Sequence, residues 1–166
     1  MSVIAAKVYN DKIIMAADSI IVNGWSKRNT NFAKIVEING MIAGSTGTAK
    51  EASLMWHYMQ THKPASPSEK DMLTFIVEFA QWKSAIDGSN VENGYLIAYN
   101  GHLFEITGLF VHEIADYVAI GAGEDFASAA MYLGHTPREA VKVACELSCY
   151  VCEPIVEYSM NREASK

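Results

Sequence analysis

The fold of this chain is decided at its start, by the stretch Met1-Ser-Val-Ile-Ala-Ala-Lys-Val-Tyr-Asn-Asp-Lys-Ile-Ile-Met-Ala-Ala-Asp18. Its apolar runs at residues 3–9 and 12–17 predict two strands. The pair Asn10-Asp11 between them predicts a two-residue primed turn, because both side chains tolerate a positive φ. The sequence therefore opens with a predicted antiparallel hairpin.

The register of this hairpin has a chemical consequence at the amino terminus. A two-residue turn places Val3 opposite Asp18, so a carboxylate lies beside the hydroxyl residue Ser2. Removal of Met1 would give Ser2 a free α-amine next to that carboxylate. We therefore take Ser2 and Asp18 as the first two candidate site residues.

Composition limits the classes of function. The 166 residues are half apolar and predict one globular domain, residues 1–166. A net charge of -6, without a Lys/Arg run, argues against nonspecific nucleic-acid binding. No apolar run approaches the ~20 residues that span a bilayer, and no secretory signal is recognisable. We expect a cytoplasmic protein that contacts neither nucleic acid nor membrane.

A second hairpin is predicted around Asn39-Gly40, the dipeptide that most strongly favours a two-residue turn. Residues 34–38 and 41–45 are its strands. This register places Lys34 opposite Ser45, beside the small-residue segment that ends at Gly47. Strand pairing alone thus brings a lysine to a glycine turn.

The remaining elements alternate between helices and strands. Residues 48–61 and 67–86 predict helices, a third hairpin turns at Asn100-Gly101, and 117–121 predicts a strand. Further elements are a helix at 124–133, a helix that starts with the capping box Thr136-Pro-Arg-Glu139, and a closing strand at 155–158. Residues 23–31 predict a loop, with room for a short strand pair.

The order of strands, two helices, strands, two helices predicts an α+β fold. Short hairpins require antiparallel pairing, and runs such as Val3-Ile-Ala-Ala6 are apolar on both faces, which indicates sheets covered on both sides. Two stacked antiparallel sheets with a helix pair outside each satisfy these constraints. We predict a four-layer αββα sandwich.

The joint spacing of Ser2, Asp18, Lys34 and Gly47 resembles the proteasome β-type and bacterial HslV-like N-terminal nucleophile hydrolases. The resemblance extends to Ala119-Ile-Gly-Ala-Gly123 before a helix and to the last helix. It implies a serine-type or threonine-type endopeptidase with the four residues above as its catalytic residues. It implies no cofactor and no metal.

The chemistry of these residues is consistent with those roles. A serine hydroxyl needs a base, and an α-amine with a pKa of about 7.7–8.0 supplies one near neutral pH. Lys34 as an ammonium favours the neutral amine, and Asp18 holds Lys34 in place. The N–H of Gly47 would bind the oxyanion of the tetrahedral intermediate.

The resemblance also implies a substrate pocket and partners. Ile21, Phe32, Ser45 and Ala49 are the implied substrate-binding residues, which favour an apolar side chain before the scissile bond. The implied substrate is a peptide or an unfolded protein. The implied assembly is a homo-oligomeric ring, fed by a hexameric AAA+ ATPase that unfolds the substrate.

The chain departs from the family pattern at two positions. Ala122 stands where the family has a serine that supports the nucleophile, and Tyr150 occupies the region where an acidic support is expected. A serine nucleophile also replaces the usual threonine. The alternative function is therefore a catalytically inactive, proteasome-like ring or assembly protein.

Two other motifs compete less well. Gly44-Ser-Thr-Gly47 resembles a nucleophile elbow around Ser45, but it lacks the first glycine and the strands are antiparallel. Cys145, Cys149 and Cys152 have the spacing of a radical-SAM iron–sulfur motif, yet they lie mostly on an amphipathic helix near the C-terminus. We interpret these cysteines as core residues.

Overall fold

A computed structural model describes residues 1–23, 26–29 and 31–162. Gly24, Trp25 and Thr30, within the predicted loop 23–31, lie outside the described residues. The elements are β1 (Val3–Val8), β2 (Lys12–Asp18), β3 (Ile20–Asn23), β4 (Ser26–Asn29), β5 (Ile35–Ile38), β6 (Met41–Thr46), α1 (Ala49–Met59), α2 (Glu69–Asp87), β7 (Gly94–Tyr99), β8 (His102–Thr107), β9 (Phe110–Ile114), β10 (Tyr117–Gly121), α3 (Glu124–Tyr132), α4 (Pro137–Leu147) and β11 (Ile155–Asn161).

The predicted four-layer αββα sandwich is confirmed. One of the two stacked antiparallel sheets has the strand order β10-β1-β2-β11, and the other has the order β5-β6-β7-β8-β9; β3 and β4 form a separate two-stranded sheet. One apolar core lies between the two sheets, a second lies between the five-stranded sheet and α1 and α2, and a third lies under α3 and α4. Alternate residues of β1 enter different cores: Ile4 faces the other sheet, whereas Val3 and Ala5 face the helices.

The predicted hairpin registers are also confirmed. Ile4 pairs with Ala17 in the first hairpin, and Ile35 pairs with Gly44 in the second. The N–H of Ser45 donates to the carbonyl of Lys34 at 3.0 Å, which extends the second hairpin by one pair.

The turns differ in their backbone conformation. Asn39-Gly40 and Asn100-Gly101 have the positive φ values of primed turns, as predicted. Asn10 and Asp11 are not among the described residues with a positive φ, so the primed turn predicted for the first hairpin is wrong. The loop still spans two residues, because the N–H of Tyr9 donates to the carbonyl of Lys12 at 2.7 Å. The register depends on that length and is unaffected.

Three of the four helices in the described residues begin at a side-chain cap. Thr48, Ser68 and Thr136 cap α1, α2 and α4, and Thr136 forms the predicted capping box with Glu139. The helical spacing of Ala140, Ala144 and Leu147 predicts that all three are buried, but Leu147, the last residue of α4, is 63% exposed. Within the described residues, no helix is long and apolar enough to span a membrane.

Candidate active site

A buried ion pair lies where the two sheets meet at the amino terminus. Asp18 is the last residue of β2 in the four-stranded sheet, and Lys34 directly precedes β5 in the other sheet. Lys34 Nζ lies 2.9 Å from Asp18 Oδ1 and 2.8 Å from Oδ2, and both side chains are buried. Asp18 Oδ1 also accepts the N–H of Val3 at 2.9 Å. The carboxylate predicted beside the amino terminus is therefore there, and Lys34 is bound to it.

The ion pair contacts the peptide bond between Met1 and Ser2. Lys34 Nζ donates a further hydrogen bond to the carbonyl oxygen of Met1 at 3.1 Å. Ser2 is buried, whereas Met1 is 44% exposed. The bond that would have to be cleaved to free Ser2 thus lies directly against the Lys34 ammonium.

The electrostatics of this region lower the pKa of the α-amine at the chain start. Burial lowers the pKa of the Met1 α-amine below its usual 8.0, the charge of Lys34 lowers it further, and Asp18 opposes both. Burial also lowers the pKa of Lys34, although the charge and hydrogen bonds of Asp18 act in the opposite direction. An amine held here is a better base at neutral pH than one in water.

A cavity of about 230 Å³ opens beside Ser2. The four predicted pocket residues all line it, together with three of the four predicted catalytic residues. Ile20, Thr48 and Ala52 line it as well and were not predicted. The complete lining is Met1, Ser2, Ile20, Ile21, Phe32, Lys34, Ser45, Gly47, Thr48, Ala49 and Ala52.

Gly47 lies in the turn between β6 and α1 and forms part of the cavity wall. Gly47 has a φ of +123°, which other residues rarely adopt, and a Cβ built on it would lie 2.1 Å from Asn93 Oδ1, so any side chain here would displace Asn93. Within the described part of the chain, the Gly47 N–H donates to no protein acceptor. This donor borders the cavity that Ser2 also lines.

Sequence reasoning missed a polar network behind this turn. Asn93, Glu51 and Lys83 are all buried, on the loop before β7, on α1 and on α2. Glu51 accepts the N–H of Asn93 at 2.9 Å and lies 3.5 Å from Lys83 Nζ. One signal was present: Glu51 lies four residues before the buried Met55, on the apolar face of its helix, where an unpaired charge is costly.

The segment in which Ala122 replaces the family serine runs beside Ser2. Gly121 pairs with Val3 in the sheet, and a Cβ on Gly121 would lie 2.4 Å from the carbonyl oxygen of Ser2. Ala122 itself is exposed and brings only a methyl group to this position. Tyr150, in the region where an acidic support was expected, is 46% exposed in the turn after α4.

The structure does not support the two competing motifs, the nucleophile elbow at Ser45 and the three-cysteine motif. The Ser45 hydroxyl accepts a hydrogen bond from the Asn93 amide at 2.9 Å, and an amide is no general base. Cys145 packs against the core under α4, and burial raises the pKa of its thiol to about 12. Cys149 is exposed, so its predicted place in the core is wrong. No group of three or more possible metal ligands occurs among the described residues.

Comparison with solved structures shows that the chain shares its fold with BPH and HslV proteins. BPH of Thiobacillus denitrificans in complex with epoxomicin superposes with a TM-score of 0.85 at 19% identity, over 99% of this chain and 100% of that chain. A second BPH structure from that organism gives 0.82 at 20% identity, over 96% and 97%. HslV of Trypanosoma brucei gives 0.73 at 21% identity, over 96% and 99%. No protein-family model and no curated protein matches the sequence.

Loss of the buried Asp18–Lys34 ion pair should lower the free energy of unfolding more than loss of an exposed ion pair does. Asp18→Asn leaves the Lys34 ammonium buried without its counterion, so we expect the free energy of unfolding to fall by about 3–5 kcal/mol. The double variant Asp18→Asn/Lys34→Met should lose less than Asp18→Asn alone, because it removes the uncompensated charge. Urea denaturation at pH 7 measures both.

Lys50→Met is the matched control, since Lys50 pairs with Asp87 at 2.7 Å but its side chain is 69% exposed. Its loss should cost less than about 1 kcal/mol. Equal destabilisation by Asp18→Asn and Lys50→Met would contradict the structural role given to the Asp18–Lys34 pair.

Proposed function

We propose that this protein is a peptidase of the proteasome and HslV kind, in which Ser2 becomes the nucleophile once the Met1–Ser2 bond is cleaved. One observation carries the proposal. Lys34 Nζ is held by Asp18 and donates to the Met1 carbonyl at 3.1 Å, at the edge of a cavity lined by Ser2 and Gly47. The proposed nucleophile, the ammonium that would keep its amine neutral and the proposed oxyanion donor thus border one cavity.

The first step is acylation of Ser2. Its own α-amine takes the hydroxyl proton as Oγ attacks the carbonyl carbon of the scissile peptide bond. Loss of Met1 removes the acceptor of one Lys34 hydrogen bond, which leaves an N–H of the ammonium directed at the space beside the new amine. The Lys34 charge keeps that amine neutral at the start of the cycle, and Asp18 keeps Lys34 in place.

The second part of the cycle releases both products. The tetrahedral oxyanion accepts a hydrogen bond from the Gly47 N–H, a type of donor typically worth about 10²–10³ in rate. The ammonium of Ser2 returns its proton to the leaving nitrogen, and the peptide bond breaks. Water, activated by the same amine, then hydrolyses the ester and regenerates the hydroxyl.

The substrate proposed is a peptide or an unfolded protein with an apolar residue before the scissile bond. Ile21, Phe32 and Ala49 line the cavity together with Ser2, and Ile20 and Ala52 add to its apolar lining. We further propose that the chain works as a homo-oligomeric ring that excludes folded proteins. An AAA+ ATPase would then supply unfolded substrate.

Ala122 favours a second candidate function, a proteasome-like ring or assembly protein without catalysis. The side chain at this position lies in the segment that packs against the Ser2 backbone, and a methyl group offers no hydrogen bond to the α-amine. A chain that keeps Met1 would also be inactive, because the nitrogen of Ser2 would remain an amide. The covalent labelling experiment below separates the two candidates.

Covalent labelling tests the identity of the nucleophile. A chain that begins at Ser2 and is treated with epoxomicin, the compound bound in the BPH complex, should gain one adduct on its N-terminal peptide. Ser2→Ala should gain none, because it lacks the hydroxyl, and intact and peptide mass spectrometry measure both. Ser19→Ala, a neighbouring serine replacement, should label like the parent. Labelling that survives Ser2→Ala would sink the mechanism, and a parent chain that never labels would favour the non-catalytic candidate.

The pH dependence of kcat/KM tests the base. Only a neutral amine accepts the Ser2 proton, so the rate rises as pH increases through the amine pKa. Burial and then Lys34 lower that pKa for the Met1 amine, and the same influences on the Ser2 amine should place the acid limb below pH 8.0. Lys34→Met removes a positive neighbour, so it should slow hydrolysis and move the limb to higher pH.

Lys50→Met serves as the control for this profile, since Lys50 is paired with Asp87 on the surface. Its acid limb should coincide with that of the parent chain. If Lys34→Met showed the parental rate and the parental midpoint, Lys34 would have no part in activating the base.

A further inference from the structure

We propose that Asn93 is a positioning residue that sets the direction of the Gly47 N–H, and that Glu51 and Lys83 hold Asn93 in place for this task. This inference rests on the proposed function, because it concerns the donor that binds the oxyanion. It assigns a role in the reaction to three buried polar residues that contact neither the nucleophile nor its base.

The carboxamide of Asn93 connects the residues on both sides of Gly47. Its Oδ1 accepts the N–H of Thr48 at 2.7 Å, and its Nδ2 donates to the carbonyl of Thr48 and to Ser45 Oγ, both at 2.9 Å. A backbone N–H requires an acceptor and a carbonyl requires a donor, so the orientation of the amide is unambiguous. The Asn93 side chain thereby connects the end of β6 to Thr48, the N-cap residue of α1.

These contacts leave the Gly47 N–H available as a donor, whereas that of Thr48 is not. The N–H of Thr48 is occupied by Asn93, whereas that of Gly47 has no protein acceptor within the described residues. The amide of Asn93 packs against the α-carbon of Gly47 closely enough that a Cβ there would lie 2.6 Å from Asn93 Cγ. Asn93 therefore limits how the peptide unit between Thr46 and Gly47 can rotate.

Glu51 fixes the backbone that carries Asn93. Its carboxylate accepts the N–H groups of Glu92 at 3.1 Å and of Asn93 at 2.9 Å, and the hydroxyl of Tyr95 at 2.9 Å. With three such donors and Lys83 Nζ at 3.5 Å, the buried charge is well solvated by the protein. Residues 92–95 are consequently tied to α1.

Lys83 completes the support from α2. Its buried ammonium donates to the carbonyl of Asn90 at 2.7 Å and to the hydroxyl of Ser89, and Asp87 Oδ1 lies 3.6 Å away. The segment from 89 to 93 is therefore held by Lys83 at its start and by Glu51 at its end. A segment that is held at both ends restricts the positions open to the Asn93 side chain.

Such support has a specific catalytic effect. An oxyanion donor contributes because it is already oriented when the charge develops, and a misplacement of about 1 Å can cost about 10²-fold in rate. Loss of the Asn93 contacts should accordingly weaken binding of the tetrahedral state, and binding of the ground state should change little.

The test compares two ligands of the chain that begins at Ser2. A peptide aldehyde adds to Ser2: the Oγ–C bond forms, the carbonyl π bond opens, and the hydroxyl proton passes through the α-amine to the new oxygen. The corresponding peptide alcohol fills the same cavity without bond formation. Asn93→Asp keeps the side-chain size but removes the amide donors, so the aldehyde Kd should rise about 10- to 100-fold, while the alcohol Kd stays within about 2-fold.

Asn39→Asp is the matched control. Asn39 also donates through Nδ2 to a backbone carbonyl, that of Met59 at 3.1 Å, but it lies in the turn at the opposite end of β5 and β6. Both Kd values should remain parental. Glu51→Gln is the second variant and should weaken the aldehyde alone, by a smaller factor. If thermal denaturation shows that Asn93→Asp is unfolded, the two Kd values of Glu51→Gln test the positioning role instead.

The outcomes separate the two proposals. If the parent chain forms the aldehyde adduct and the folded variant keeps the parental ratio of aldehyde to alcohol affinity, the positioning role is overturned and the proposed function stands. The positioning role is also overturned if both ligands weaken equally, which indicates a distorted cavity. If the parent chain forms no adduct and hydrolyses no peptide, the proposed function fails and this inference fails with it.

Discussion

The rest of the site depends on the ion pair between Asp18 and Lys34. Asp18 ends a strand of one sheet and Lys34 directly precedes a strand of the other, so the pair joins the two sheets at the point where the chain starts. A buried charge pair is an expensive way to gain stability, since desolvation offsets most of the Coulomb attraction. The role of this pair is therefore better explained by its position. Because Lys34 donates to the Met1 carbonyl, the pair holds a positive charge beside residue 2.

Short-range patterns sufficed to predict the hairpin registers and hence which candidate site residues lie close together. A two-residue turn determines which residues face each other, so Val3 and Asp18, or Lys34 and Ser45, could be paired without knowledge of the tertiary structure. The prediction was robust even where the turn type was wrong, because register depends on loop length and not on the sign of φ at Asn10. The resemblance to a known fold supplied the roles of these residues.

Long-range and edge features could not be predicted in this way. Strand β9 is a partly exposed edge that carries His112 and Glu113, and it gives a weaker apolar signal than a central strand. Asn93 reaches Thr48 across 45 positions of sequence, and no periodicity connects those two segments. Leu147 is exposed for a similar reason: helical spacing shows which residues share a face of α4, but it does not show how far along the helix that face is covered.

The central claim is that catalysis requires a free α-amine on Ser2 beside Lys34. The most direct measurement compares peptide hydrolysis by two homogeneous preparations of this protein, one that begins at Met1 and one that begins at Ser2, each verified by intact mass. The account predicts hydrolysis only by the chain that begins at Ser2, because the Met1-bearing chain has an amide where the base should be. Equal hydrolysis by both preparations would contradict it.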